Sequence, residues 1–131
     1  MSISRVSKSA VIADDDETIR SILQYKLSNA GYELTVCHDG EECRQALNGT
    51  AAAPDVVVLD VMMPRMKGTQ VLRTIRRGDL AVAPDVPVVM LTSRGQEADV
   101  LAGLDSGADE YLTKPFSPNE LLTRIDRLVG R

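Results

Sequence analysis

Apolar positions along the chain follow two periods. Ala10–Ala13, Val56–Leu59 and Val88–Leu91 are short apolar runs without polar alternation. Such runs read as strands buried on both faces, as in the middle of a parallel sheet. Between them, apolar residues recur three or four apart, the period of an amphipathic helix. The first strand is predicted over Ala10–Ala13. The first helix is predicted over Glu17–Asn29, striped by Ile19, Ile22, Leu23 and Leu27, with Gly31 as its stop signal. Tyr32–Cys37 alternates enough for a second strand. Asp39, with Glu42 three residues on, opens a second helix running to about Leu47. Val56–Asp60 is the third strand. A turn-rich loop over 64–68 leads to a short third helix carrying Val71, Leu72 and Ile75, and 77–87 reads as a loop. Val88–Thr92 is the fourth strand. Ser93-Arg94-Gly95-Gln96 resembles a capping box and opens a fourth helix striped by Val100, Leu101 and Leu104. Glu110–Thr113 is a short fifth strand. Ser117-Pro118-Asn119-Glu120 starts the fifth helix with a cap, a proline in the first turn and an acid at the third position.

Five strands and five helices in strict alternation predict a doubly wound α/β architecture, a parallel sheet with helices on both faces and right-handed crossovers. The length of 131 residues fits one domain. We expect 1–8 to be a flexible N-terminal segment and 9–131 the domain. A net charge of −4 argues against direct nucleic-acid binding. Without an apolar run of about 18 residues, no membrane span is expected, and the polar Met1–Ser9 has no signal-peptide core. Cys37 and Cys43 lack a matching Cys or His pair and read as free thiols in a reducing cytoplasm. His38, the single histidine, reads as a surface residue.

Chemistry enters at the carboxyl ends of the strands, the edge where open α/β sheets bind ligands. The first strand delivers Asp14, Asp15 and Asp16, the third Asp60, the fourth Thr92 and the fifth Lys114. Carboxylates gathered closely repel one another, and a divalent cation removes that repulsion. Oxygen ligands without Cys or His clusters favour a hard ion, and a small carboxylate set with room for water and phosphate oxygens favours Mg²⁺. Lys114 adds a positive charge and Thr92 a hydroxyl. The set describes a site that neutralises a phosphoryl group, with an aspartate as nucleophile. Each residue also has a plain alternative. Asp14–Asp16 could cap the first helix, Asp60 and Lys114 could be turn residues, Thr92 a structural hydroxyl, and Tyr111 a boundary aromatic. Their falling on one edge of one sheet favours the functional reading.

These residues resemble the receiver domain of bacterial two-component response regulators, the CheY-like family. The motifs are Asp14-Asp15; Leu59-Asp60-Val61-Met62-Met63-Pro64 with Met66 and Gly68; Thr92; and Tyr111-Leu112-Thr113-Lys114-Pro115-Phe116. The resemblance covers about Ser9 to Val129. It implies a flavodoxin-like (βα)5 sandwich with strand order 2-1-3-4-5. It implies that Asp60 accepts a phosphoryl group from a phosphohistidine on a sensor histidine kinase or a phosphotransfer protein. Mg²⁺ would be held by Asp15, Asp60 and the Met62 backbone carbonyl, with Asp14 acting largely through water. Thr92 and Lys114 would contact phosphoryl oxygens. Thr92 and Tyr111 would form a switch that repacks the face of the fourth helix, fifth strand and fifth helix. The domain would catalyse its own dephosphorylation, with Met62, Ser93 and Arg94 tuning the lifetime. Asp109, Glu110 and Arg124 resemble residues of regulators that dimerise through that face. An output domain beyond Arg131 is an expectation of the same kind.

One enzyme family competes. Asp14-Asp15-Asp16-Glu17-Thr18 fits the Asp-x-Asp-x-Thr motif of haloacid dehalogenase-like phosphatases, with Asp14 as nucleophile. Those enzymes need an acidic pair after the lysine, and only Glu120 and Asp126, both on the fifth helix, follow Lys114. That reading also leaves Asp60 without a role.

Overall fold

The computed structural model describes residues 8–49, 53–93 and 107–130. Five strands, β1 (Lys8–Ala13), β2 (Tyr32–Cys37), β3 (Val56–Asp60), β4 (Val88–Ser93) and β5 (Glu110–Lys114), form one sheet in the order β2-β1-β3-β4-β5. Every pairing is parallel. The described helices are α1 (Glu17–Asn29), α2 (Gly40–Gly49), α3 (Gly68–Arg76) and α4 (Pro118–Val129). The helix expected after Ser93, with Arg94 in its first turn, lies outside the described residues, as do 1–7. Lys8, assigned above to the N-terminal segment, already pairs with Tyr32 in the sheet.

The missing polar alternation has a direct structural cause. Ala10, Ile12, Val56, Val58, Val89 and Leu91 pack on one face, against Leu23 and Leu27 of α1 and Leu121 and Ile125 of α4. Val11, Ala13, Val57, Leu59, Val88 and Met90 pack on the other, against Cys43 and Leu47 of α2 and Val71, Leu72 and Ile75 of α3. Both faces of the central strands are dry, so neither tolerates a polar residue. The two cysteines are buried free thiols, and His38 is exposed beside Glu42.

Local signals set the helix starts. Asp16 caps α1 by accepting from the Thr18 and Ile19 amides, and Ser117 caps α4 by accepting from Glu120. Helix α3 begins at Gly68, earlier than its apolar stripe suggests, because the Gly68 amide donates to Val61 O at 2.9 Å. A Cβ at Gly68 would lie 2.1 Å from the Asp60 carbonyl oxygen, so no larger residue fits. The 77–87 segment is a loop, as expected. Arg76 anchors it by donating to Pro84 O and Val86 O at 2.7 Å each, and reaches Gly107 O at 2.9 Å.

Candidate functional site: an acidic pocket at the carboxyl edge of the sheet

Parallel pairing brings the strand ends to one edge. Ala13 is in register with Leu59, and each is followed by an aspartate, Asp14 and Asp60. Asp60 itself pairs with Leu91, one residue before Thr92, and Ser93 pairs with Lys114. Asp15 follows at the mouth, and carboxylate oxygens of Asp14, Asp15 and Asp60 lie within 4.8 Å of one another. Asp14 and Asp60 are buried, whereas Asp15 is exposed.

The two buried carboxylates are held differently. Asp14 Oδ1 accepts from the Asp16 amide at 2.9 Å, and its Oδ2 accepts from Lys114 Nζ at 2.8 Å. Asp60 Oδ2 is 3.4 Å from the same ammonium, and its Oδ1 has a long 3.4 Å contact from the Met62 amide. Burial, then the charge of Asp14, push the Asp60 carboxyl up to about 7 against the opposing pull of Lys114. Burial weakens the Lys114 ammonium, but its bonds to Asp14 and the charge of Asp60 outweigh that and raise its pKa.

Thr92 is buried at the end of β4, where its hydroxyl donates to the Ser93 carbonyl at 3.3 Å. Met62 stands half-exposed at the rim. Tyr111 packs partly buried against the core on the α2–α3 face of the sheet. The charged residues expected at a dimer face are engaged within the chain. Arg124 donates to Glu110 at 2.6 Å and Glu120 at 2.9 Å, while Asp109 accepts from Arg76 at 3.0 Å and from the Val88 amide at 2.8 Å.

Comparison with known proteins decides the family. The response regulator receiver domain model matches residues 10–126. The chain belongs to the response regulator receiver domain family. It is a receiver domain of two-component systems, and its pocket of Asp14, Asp15 and Asp60 fits a phosphorylation site. It is 38% identical over 126 residues to the alkaline phosphatase synthesis transcriptional regulatory protein PhoP of Bacillus subtilis, covering 96% of this chain and 50% of that protein. It is 41% identical over 121 residues to the response regulator MprA of Mycobacterium ulcerans, covering 92% and 50%. The chain thus spans about half the length of these curated relatives. Among solved structures, the receiver domain of Francisella response regulator 1452 superposes with a TM-score of 0.82 at 34% identity, covering 95% of this chain and 98% of that one. A receiver domain from Clostridium thermocellum gives 0.85 at 27% identity, covering 95% of each.

The dehalogenase-like alternative finds no support. Its nucleophile would be Asp14, whose carboxylate is fully buried with both oxygens engaged. Among the described residues, no helix is long and apolar enough to cross a membrane.

One contributor escaped the sequence reading. Arg20, on α1, donates from its NH1 to the Asp14 carbonyl at 2.9 Å. A cation in the first turn of a helix opposes the helix dipole, and that local conflict was the available signal.

Proposed function

We propose that Asp60 is the phosphoacceptor of this receiver domain and that it takes its phosphoryl group from a phosphohistidine on a sensor histidine kinase or a phosphotransfer protein. The observation that carries this is the asymmetry of the buried pair. Asp14 is locked by Asp16 and Lys114, while Asp60 keeps long contacts only a short distance from the same ammonium. Asp60 is therefore the carboxylate with an oxygen available for attack.

The three clustered carboxylates fit a hard divalent ion by donor chemistry and spacing. Asp15, Asp60 and the Met62 backbone carbonyl would hold Mg²⁺, with Asp14 acting through water, and the ion would supply positive charge against the phosphoryl oxygens. In transfer, an Asp60 oxygen bonds to phosphorus as the N–P bond breaks and the histidine nitrogen keeps the electron pair. Lys114 offsets charge developing on one phosphoryl oxygen, and the Thr92 hydroxyl serves another. The acyl phosphate is labile to water, so the domain resets itself; Met62, Ser93 and Arg94 set access to it. Movement of Thr92 toward the phosphoryl group draws Tyr111 inward and repacks the face that includes β5 and α4. Such a switch needs only a few kcal/mol of bias.

On this reading the domain works in the cytoplasm and carries no nucleic-acid surface of its own. An output domain beyond Arg131 accords with the length of the relatives, one of which is named a transcriptional regulatory protein. Dimerisation would exchange the in-chain pairs of Arg124 and Asp109 for pairs across a twofold axis. The test is binding of Mg²⁺ and then beryllofluoride, a phosphoryl mimic. Binding of both supports the reading. A chain that binds neither is a docking module that keeps the fold alone.

A further inference from the structure

The Asp14–Asp15 turn is held at every polar atom of Asp14. Its amide donates to Cys37 O at 3.3 Å, its two carboxylate oxygens accept from Asp16 and Lys114, and its carbonyl accepts from Arg20. The carbonyl is the informative contact. The C=O of Asp14 and the N–H of Asp15 belong to one rigid peptide plane. Fixing that oxygen fixes the plane, and with it the position of the Asp15 Cα from which the side chain leaves the backbone. Asp15 is the exposed member of the three-carboxylate cluster, so it has little packing of its own to hold it.

We propose that Arg20 is a positioning residue that aims Asp15 at the metal site through the Asp14 carbonyl. Arg20 is half-buried and its own amide donates to Asp16 O at 3.0 Å, so the side chain rises from the turn it braces. The guanidinium touches neither the metal nor the phosphoryl group in this role. It acts as the groups behind metal ligands commonly do, where substitution costs about 10–100-fold in affinity.

Simple electrostatics predicts the opposite sign. A positive charge beside three carboxylates disfavours a cation, so removing it should tighten Mg²⁺ binding. The two accounts are therefore separable.

The proposal rests on Mg²⁺ binding at Asp14, Asp15 and Asp60. Its test is calorimetric titration of Mg²⁺ alone into the whole chain and the variants R20M, R20A and R20K, with unfolding of each in the metal-free state. We expect R20M and R20A to bind Mg²⁺ about tenfold more weakly, and R20K, which keeps a donor long enough to reach the carbonyl, to recover most of that loss. Should R20M fold poorly, R20A gives the same comparison. Unchanged or tighter binding in the neutral variants would overturn the proposal, as would an equal loss in R20K. If the parent chain itself binds no Mg²⁺, the metal-site reading beneath it fails instead.

Discussion

Lys114 lies nearer to Asp14 than to Asp60: its Nζ is 2.8 Å from Asp14 Oδ2 and 3.4 Å from Asp60 Oδ2. One ammonium is thus shared by two buried carboxylates, and its release toward a phosphoryl oxygen would leave Asp14 in need of another cation. Replacing Lys114 by methionine removes that shared charge. The expected loss at pH 7 without metal is about 1–3 kcal/mol, less than for an obligatory buried charge because Asp60 can take a proton. Urea unfolding in chelator measures it, and Mg²⁺ should restore part of the loss.

Asp60 carries the clearest pH dependence. Its carboxyl is raised from 3.8 to about 7 by burial and by Asp14. The folded chain therefore holds a proton that the unfolded chain has released across that window. Stability from this group is full below the lower value and is lost as pH rises through the upper one. Asp60→Asn, which cannot ionise, should raise the metal-free melting temperature at pH 8, by roughly 3–8 °C. The gain should shrink toward pH 5. Melting curves in chelator at the two pH values check both halves.

Metal binding must displace the same proton. Mg²⁺ affinity should climb by about tenfold per pH unit below 7 and level off above it. Calorimetry in buffers of different ionisation heat would show proton release at pH 6 and little at pH 8. At a hundredfold excess over its dissociation constant, Mg²⁺ should stabilise the fold by about 2.7 kcal/mol, and chelator should remove that gain. Asp15→Asn should abolish the effect with little cost to the metal-free fold, because Asp15 is exposed.

Gly68 is a steric requirement. An added Cβ would sit 2.1 Å from the Asp60 carbonyl oxygen. Gly68→Ala should push α3 away from the end of β3 and destabilise the chain by about 2 kcal/mol or more. Urea unfolding gives the size of the loss, and weakened Mg²⁺ binding would report displacement of Asp60.

The fold was legible where the sequence repeats a physical constraint along several residues. Val56–Leu59 lacks alternation because both faces of β3 are covered, and α1 occupies the residues its stripe and cap predict. The gathering of Asp14, Asp60 and Lys114 followed from parallel topology, since parallel strands end at one edge. The rest depends on contacts to the backbone, which leave no residue pattern. Arg20 serves a carbonyl, Arg76 serves three, and the α3 start is set by Val61 O rather than by an apolar stripe. Asp109 accepts from the Val88 amide, which ties the entry of β5 to the first residue of β4. No sequence period records such a pairing.

Phosphorylation at Asp60 can be read directly. Incubation with acetyl phosphate and Mg²⁺, followed by borohydride reduction of the acyl phosphate and peptide mapping by mass spectrometry, provides the reading. Modification is expected at Asp60 alone, and none in Asp60→Ala. Modification at Asp14, or labelling of Asp60→Ala at the parent rate, would contradict Asp60 as the phosphoacceptor.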